Sequence, residues 1–230
     1  MQINRKEKEF QLRRELIIDV AEQLFYERGY ENVTLSDIAR AAQYTKKTLY
    51  TYISGKGELY LEVYCRGLEK RQDCLSDAME KAGTGFDKIK ALGEAYFRFF
   101  KENPQMLLLV QYFDYRGIEY DKIKPEVVDK FIKLNKEANL QHLEAFKLGL
   151  SDGSINPAIQ PEIVYSQFIL CLRTITHNAI WGYTELENEQ EKKFFSEEYF
   201  QYFLNFYLRG LSSKTKAINK FKYPKKKKEK

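Results

Sequence analysis

The sequence predicts an all-α protein. Apolar residues recur at helical spacing through most of the chain, and no segment alternates apolar and polar residues as a half-buried strand would. Glycine and proline are few, 12 and 5 in 230 residues, and most fall between the periodic stretches. No internal repeat is evident.

The elements follow in order. Leu16, Ile17, Val20, Ala21, Leu24 and Phe25 form one stripe of an amphipathic helix that stops at Gly29, a residue suited to the left-handed turn past a helix end. Thr34-Leu35-Ser36-Asp37 reads as an N-cap with an acid three residues on, opening a short helix with Leu35, Ile38, Ala39 and Ala42 inward. After Gln43-Tyr44, Thr45 caps a third short helix in which Leu49 and Ile53 share a face, before Gly55 and Gly57 interrupt the pattern. Longer helices are expected over about 58–81, 86–101, 104–115, 125–150 and 161–181, and a last one capped by Ser196 runs to about Leu211. Pro104, Pro125 and Pro161 each stand where a first helical turn tolerates proline.

Composition excludes several functions. The chain has 38 Lys+Arg against 33 Asp+Glu, a net +5, but residues 214–230 alone carry nine lysines and one glutamate. The remainder is therefore net −3, and overall basicity is no argument for nucleic-acid binding. The longest aliphatic run, 106–110, is far short of the roughly 20 residues that cross a bilayer, and the charged N-terminus has no apolar signal region. Cys65, Cys74 and Cys171 are an odd count without metal-ligand spacing, which fits a reducing cytoplasm. No Gly-rich phosphate loop, metal-ligand cluster or nucleophile–His pattern occurs, so neither catalysis nor a cofactor nor a metal is expected. The only histidines, His142 and His177, read as hydrogen-bonded structural residues.

Three unequal helices within the first 55 residues, the last two joined by a tight turn, suggest a helix-turn-helix. The segment Thr34-Leu-Ser-Asp-Ile-Ala-Arg-Ala-Ala-Gln-Tyr-Thr-Lys-Lys-Thr-Leu-Tyr-Thr-Tyr-Ile-Ser-Gly-Lys56 resembles the DNA-binding signature of TetR-type (tetracycline-repressor) transcriptional regulators, as do Ala21, Leu24-Phe25 and Arg28-Gly29-Tyr30 upstream. The resemblance covers about residues 10–60; beyond them it is architectural, in helix number, length and order. It implies that Lys46, Lys47 and Tyr50 reach base edges in the major groove, and that Thr34, Thr48, Tyr52 and Lys56 contact phosphates, with Thr51 also facing outward. Residues 1–58 are only net +1, so attraction to DNA depends on the placement of Arg5, Lys6, Arg13, Arg14, Lys46, Lys47 and Lys56. Two residues depart from the family pattern. Gln43 replaces a usual turn glycine, and Tyr44 a usual small apolar residue.

The resemblance further implies a helix-turn-helix domain at 1–56 and a helical ligand-binding and dimerisation domain at 57–211, and the run of like charge reads as a basic, disordered tail at 212–230. The last two helices are apolar on more than one face, as a four-helix homodimer interface requires. A small-molecule pocket is expected among Tyr96, Phe97, Phe100, Leu109, Tyr112, Phe113, Phe131, Asn135, Asn139, His142, Cys171, Thr174, Asn178 and Trp181. Aromatic walls with few charges imply an apolar or aromatic effector. The function so implied is a cytoplasmic dimeric repressor that an effector releases from a palindromic operator; no membrane partner is expected. A DNA-binding adaptor, whose larger domain takes a protein partner in place of a ligand, stands as the alternative.

Overall fold

The computed structural model describes residues 5–116, 119–182 and 196–214. Nine α-helices lie among them: α1 (Arg5–Arg28), α2 (Leu35–Ala41), α3 (Lys46–Leu49), α4 (Lys56–Glu80), α5 (Gly85–Glu102), α6 (Pro104–Arg116), α7 (Pro125–Ser151), α8 (Pro161–Trp181) and α9 (Glu197–Leu211). A short 3-10 turn, Tyr120–Lys122, precedes α7. No strand occurs among the described residues, only an isolated bridge between Ile155 and Ser212. The all-α expectation holds.

Caps set the helix starts. Thr34 opens α2 with a full capping box: its hydroxyl accepts from the Asp37 N–H at 3.1 Å, and Asp37 accepts from the Thr34 N–H at 3.0 Å. Thr84 and Asp87 repeat the device at α5. Proline stands at the start of α6, α7 and α8.

The first helix begins about eleven residues before its apolar stripe. Its N-terminal half buries only Phe10 and Arg14 in part, and local pairs such as Gln11–Glu7 and Arg13–Glu9 add support. Arg66 on α4 then clamps α1 from outside, with Nη1 2.7 Å from Asp19 and 3.0 Å from Glu22, and Nη2 bonded to Glu15.

Helix α4 is the spine. It starts beside α1, just after the α3 turn, and its buried residues run from Glu58 to Met79 into the larger bundle against α5 and α7. One hydrophobic core therefore continues from Ile17, Ile38 and Leu49 through Tyr60 and Leu75 to Phe146, Phe168 and Phe200. The boundary expected at residue 56 falls on the first residue of this helix, so no flexible linker separates the two parts. Where α5 begins against the end of α7, only glycines fit: a Cβ on Gly85 would lie 2.1 Å from the Gly149 backbone nitrogen. Of the tail expected at 212–230, all but the first three residues lie outside the described residues.

Candidate nucleic-acid interface

Helix α3 is one turn long, and the packing beneath it fixes its direction. Leu49 and Ile53 are 0% and 1% exposed and pin it to the core. Thr45 caps it, accepting from the Thr48 N–H at 3.0 Å. The turn before it holds Gln43 at φ 60°, the one non-glycine residue with positive φ among the described residues. Gln43 thus adopts the conformation for which the family pattern uses glycine, at a cost on the order of 1 kcal/mol. The neighbouring departure supplies packing: Tyr44 lies against Tyr52 (centroids 6.0 Å apart), and Tyr52 against Phe10 of α1 (4.9 Å). These three rings wedge the recognition helix against α1.

The expected DNA contacts divide into two groups. Lys46, Lys47, Tyr50 and Thr51 are exposed, Tyr50 at 50%, and form one outward edge of α3 and the turn after it. The others are already engaged. Tyr52 is 8% exposed, its ring part of the wedge. The Thr34 hydroxyl donates to Asp37 at 2.6 Å, leaving backbone N–H groups at the start of α2 to face an anion. Thr48 is half-buried, its hydroxyl 2.8 Å from that of Thr45. Lys56 folds back over the Tyr30 ring, 4.0 Å from its centroid. Of the basic residues expected to draw DNA, Arg13 pairs with Glu9 and Arg14 is nearly buried.

Arg14 belongs to a buried ionic junction that the sequence does not reveal. Its Nη2 donates to Glu58 at 3.0 Å and to Glu62 at 2.5 Å. Glu58 is 0% exposed, and its second oxygen accepts from the Ser54 N–H (2.9 Å) and O–H (2.7 Å). Lys124 places Nζ 3.3 Å from Glu58 and donates to the Tyr52 carbonyl at 2.8 Å. The Ser54 hydroxyl also contacts the Lys122 carbonyl at 3.1 Å. Four segments therefore meet on one carboxylate: α1, the turn after α3, the first turn of α4, and the segment leading into α7. Burial opposes the charge on Glu58, but the Ser54 donors, Arg14 and Lys124 outweigh it and hold the carboxyl below the ordinary glutamate value.

The residues expected around an effector pocket fall into several packed groups among the described residues. Phe97 stacks on Phe200 at 4.1 Å, and Phe113 packs on Phe131 at 5.0 Å; Tyr96 and Phe100 are buried between them and the core. Asn135 donates to the Phe131 carbonyl of its own helix, and Asn139 accepts from the Tyr165 hydroxyl at 2.7 Å. Cys171, Thr174 and Trp181 face outward on α8, with Asn178 half-buried beside His177. A 270 Å³ cavity lies elsewhere, between the end of α1 and α6, lined by Phe25, Tyr26, Tyr30, Glu31, Leu108 and neighbours. Leu109 and Tyr112 alone among the expected residues line it, and the Tyr112 hydroxyl donates to Glu31 across it at 2.9 Å. The outward residues of α8 result from a stripe that continues around the helix: Leu170 is 62% exposed on the same side.

Comparison with known proteins agrees with this geometry. Residues 17–63 match the family described as bacterial regulatory proteins, tetR family. The transcriptional activator FasR of Mycolicibacterium smegmatis is 30% identical over 103 residues, 45% of this chain and 47% of that protein, so the match spans about half the length of that relative. The transcriptional repressor KstR2 of the same organism is 23% identical over 154 residues, 66% of this chain and 72% of the relative. Among solved structures, the regulator FadR from Bacillus subtilis in complex with stearoyl-CoA superposes with a TM-score of 0.64 at 14% identity, covering 85% of this chain and 97% of that one. At that identity the likeness establishes the fold.

The Glu58 junction makes an acid-stability prediction. A folded pKa depressed below the unfolded value contributes stability above about pH 4.5, lost as pH falls through the folded value. Glu58→Gln should cost about 3–5 kcal/mol at pH 7, the scale for breaking a buried ion pair, and should flatten the loss of stability below pH 4.5. Urea unfolding at pH 7 and pH 3.5 measures both; equal pH slopes for the two proteins would remove Glu58 from this role.

Proposed function

This chain belongs to the tetR family of bacterial regulatory proteins, and we propose that it is a dimeric, ligand-responsive transcriptional regulator, a repressor released from a palindromic operator by a small molecule. The observation that carries the reading is the outward edge of α3. Lys46, Lys47 and Tyr50 are exposed on a helix whose opposite side is locked by Leu49 and Ile53. A lysine ammonium suits the guanine O6/N7 acceptors, and a tyrosine ring packs on a thymine methyl. Wedge and junction hold these side chains in one orientation, so contact with DNA orders little further chain.

Dimerisation is supported by the outer face of α8 and α9. Leu170, Trp181, Tyr202 and Phe206 are 62%, 40%, 77% and 73% exposed, a concentration of large apolar groups that a lone protomer would leave in water. A two-fold pairing of α8 and α9 covers this face with its own copy and sets two recognition helices for two half-sites. Responsiveness to an effector is supported by the absence of a linker: α4 and the 119–124 segment connect the larger bundle directly to the turn after α3. The effector itself must bind one arrangement of the recognition helices more tightly than the other. The solved neighbour that holds stearoyl-CoA lends weight to a small apolar-bodied effector for this fold.

Two substitutions test the reading. Tyr50→Ala should weaken specific operator binding by about 1–3 kcal/mol with little change on unrelated duplex, read by fluorescence anisotropy; unchanged operator affinity in a folded variant contradicts the assignment. Phe206→Glu should raise the dimer dissociation constant by roughly tenfold or more, since it buries an unpaired charge in the contact. Sedimentation velocity across a concentration series reports it, and an unaltered dimer would place the interface elsewhere.

A further inference from the structure

The interior of the larger bundle contains a charge that no described residue neutralises. Arg71 of α4 is 9% exposed and makes no salt bridge among the described residues; its Nε has no hydrogen-bond partner. Its guanidinium lies 5.8 Å from the centroid of the Tyr96 ring, a contact that stabilises a cation but supplies no counter-charge. His142 of α7 is 4% exposed, and neither ring nitrogen has a partner. Burial and the adjacent Arg71 push the histidine pKa down to about 3, so it is neutral at physiological pH, with one nitrogen able to donate and the other to accept. The His142 ring stands 6.2 Å from that of Tyr165 on α8. From there aromatic packing continues inward: Tyr165 to Phe146 at 5.8 Å, and Phe146 to Phe168 at 5.9 Å. Further along the same inner face of α8, Thr176 is 0% exposed and its hydroxyl is also unpaired.

Buried polar groups in folded proteins are nearly always hydrogen-bonded, and a buried charge without a partner is costlier still. Arg71 without a counter-charge stands beside a histidine without a hydrogen-bond partner, in an otherwise apolar interior, and such a pair favours an anion. We propose that Arg71 and His142 form an anion-binding centre between α4 and α7, and that the effector is an amphipathic molecule whose carboxylate or phosphate pairs with Arg71 while its apolar body lies among the Tyr96, Tyr165, Phe146 and Phe168 rings. The proposal rests on the reading of the larger bundle as an effector domain and narrows it: the effector is anionic at one end, where aromatic lining alone implies a purely apolar or planar molecule. A planar guanidinium suits either anion through paired N–H donors. Binding supplies the missing counter-charge, so ligand and interior stabilise each other.

The test uses the full chain with dodecanoate, dodecyl phosphate and dodecan-1-ol, each below its micelle concentration, followed by calorimetric titration and thermal melting. At least one of the two anions should bind the wild type at least tenfold more tightly than the alcohol and raise Tm; which one does so separates carboxylate from phosphate. Arg71→Met should bring the anions to parity with the alcohol while melting, ligand-free, no lower than the wild type, because an unpaired buried cation has been removed. Arg71→Lys should retain a reduced anion preference, and it serves should the methionine variant fail to fold. Equal binding of alcohol and anions by the wild type, or an anion preference that survives Arg71→Met, overturns the centre and leaves the effector reading standing. Binding of none of the three overturns both.

Discussion

The carboxylate of Glu58 is the point on which the arrangement depends. It is wholly buried at the first turn of α4, and an ion in that position is tolerable only if every lone pair finds a donor. Arg14 from α1, Ser54 from the turn after α3 and Lys124 from the segment before α7 supply those donors. Each satisfies the charge only from a narrow range of positions, so the carboxylate fixes the relative placement of four segments. Lys124 also holds the Tyr52 carbonyl, which ties the segment before α7 directly to the end of the recognition element. A displacement of α7 has to move that turn or break a buried ion pair, which couples the larger bundle to the α3 edge.

The same economy shapes the recognition edge. A one-turn helix has almost no stability of its own, since nucleation costs more than a single turn returns. Thr45, Leu49, Ile53 and the Phe10–Tyr52–Tyr44 wedge provide it from outside. The strained Gln43 turn persists because the elements on either side over-determine it. Lys46, Lys47 and Tyr50 are left with no structural task, and the charge they present is local. The net charge of the chain, dominated by lysines after residue 213, has little bearing on it.

How much was legible in the sequence differs by the kind of information required. Helix α8 reads correctly at both ends because Pro161 opens it and Gly182, at φ 74°, closes it, both local signals. The capping box at Thr34 and the anchors Leu49 and Ile53 are legible for the same reason. The N-terminal half of α1 is not, because it has no apolar stripe and takes its support from Tyr52 against Phe10 and from Glu58 and Glu62 on Arg14, more than 40 residues away. Tyr52, Lys56 and Arg14 look like surface groups in a linear reading; burial, a ring beneath the ammonium and two carboxylates from α4 decide otherwise. Arg71 lies on a helix rich in charged residues and carries no sequence signal at all. Its importance appears only once the fold shows it buried with no salt bridge to a carboxylate among the described residues.

The proposed function requires two copies of the α3 edge to read DNA as a symmetric pair. In vitro selection from a pool of random duplexes with the full chain measures this without knowledge of a natural operator. Enrichment of one short sequence in two inverted copies at fixed spacing is expected. Recovery of no consensus, or of a single unrepeated motif bound by a monomer, would contradict it.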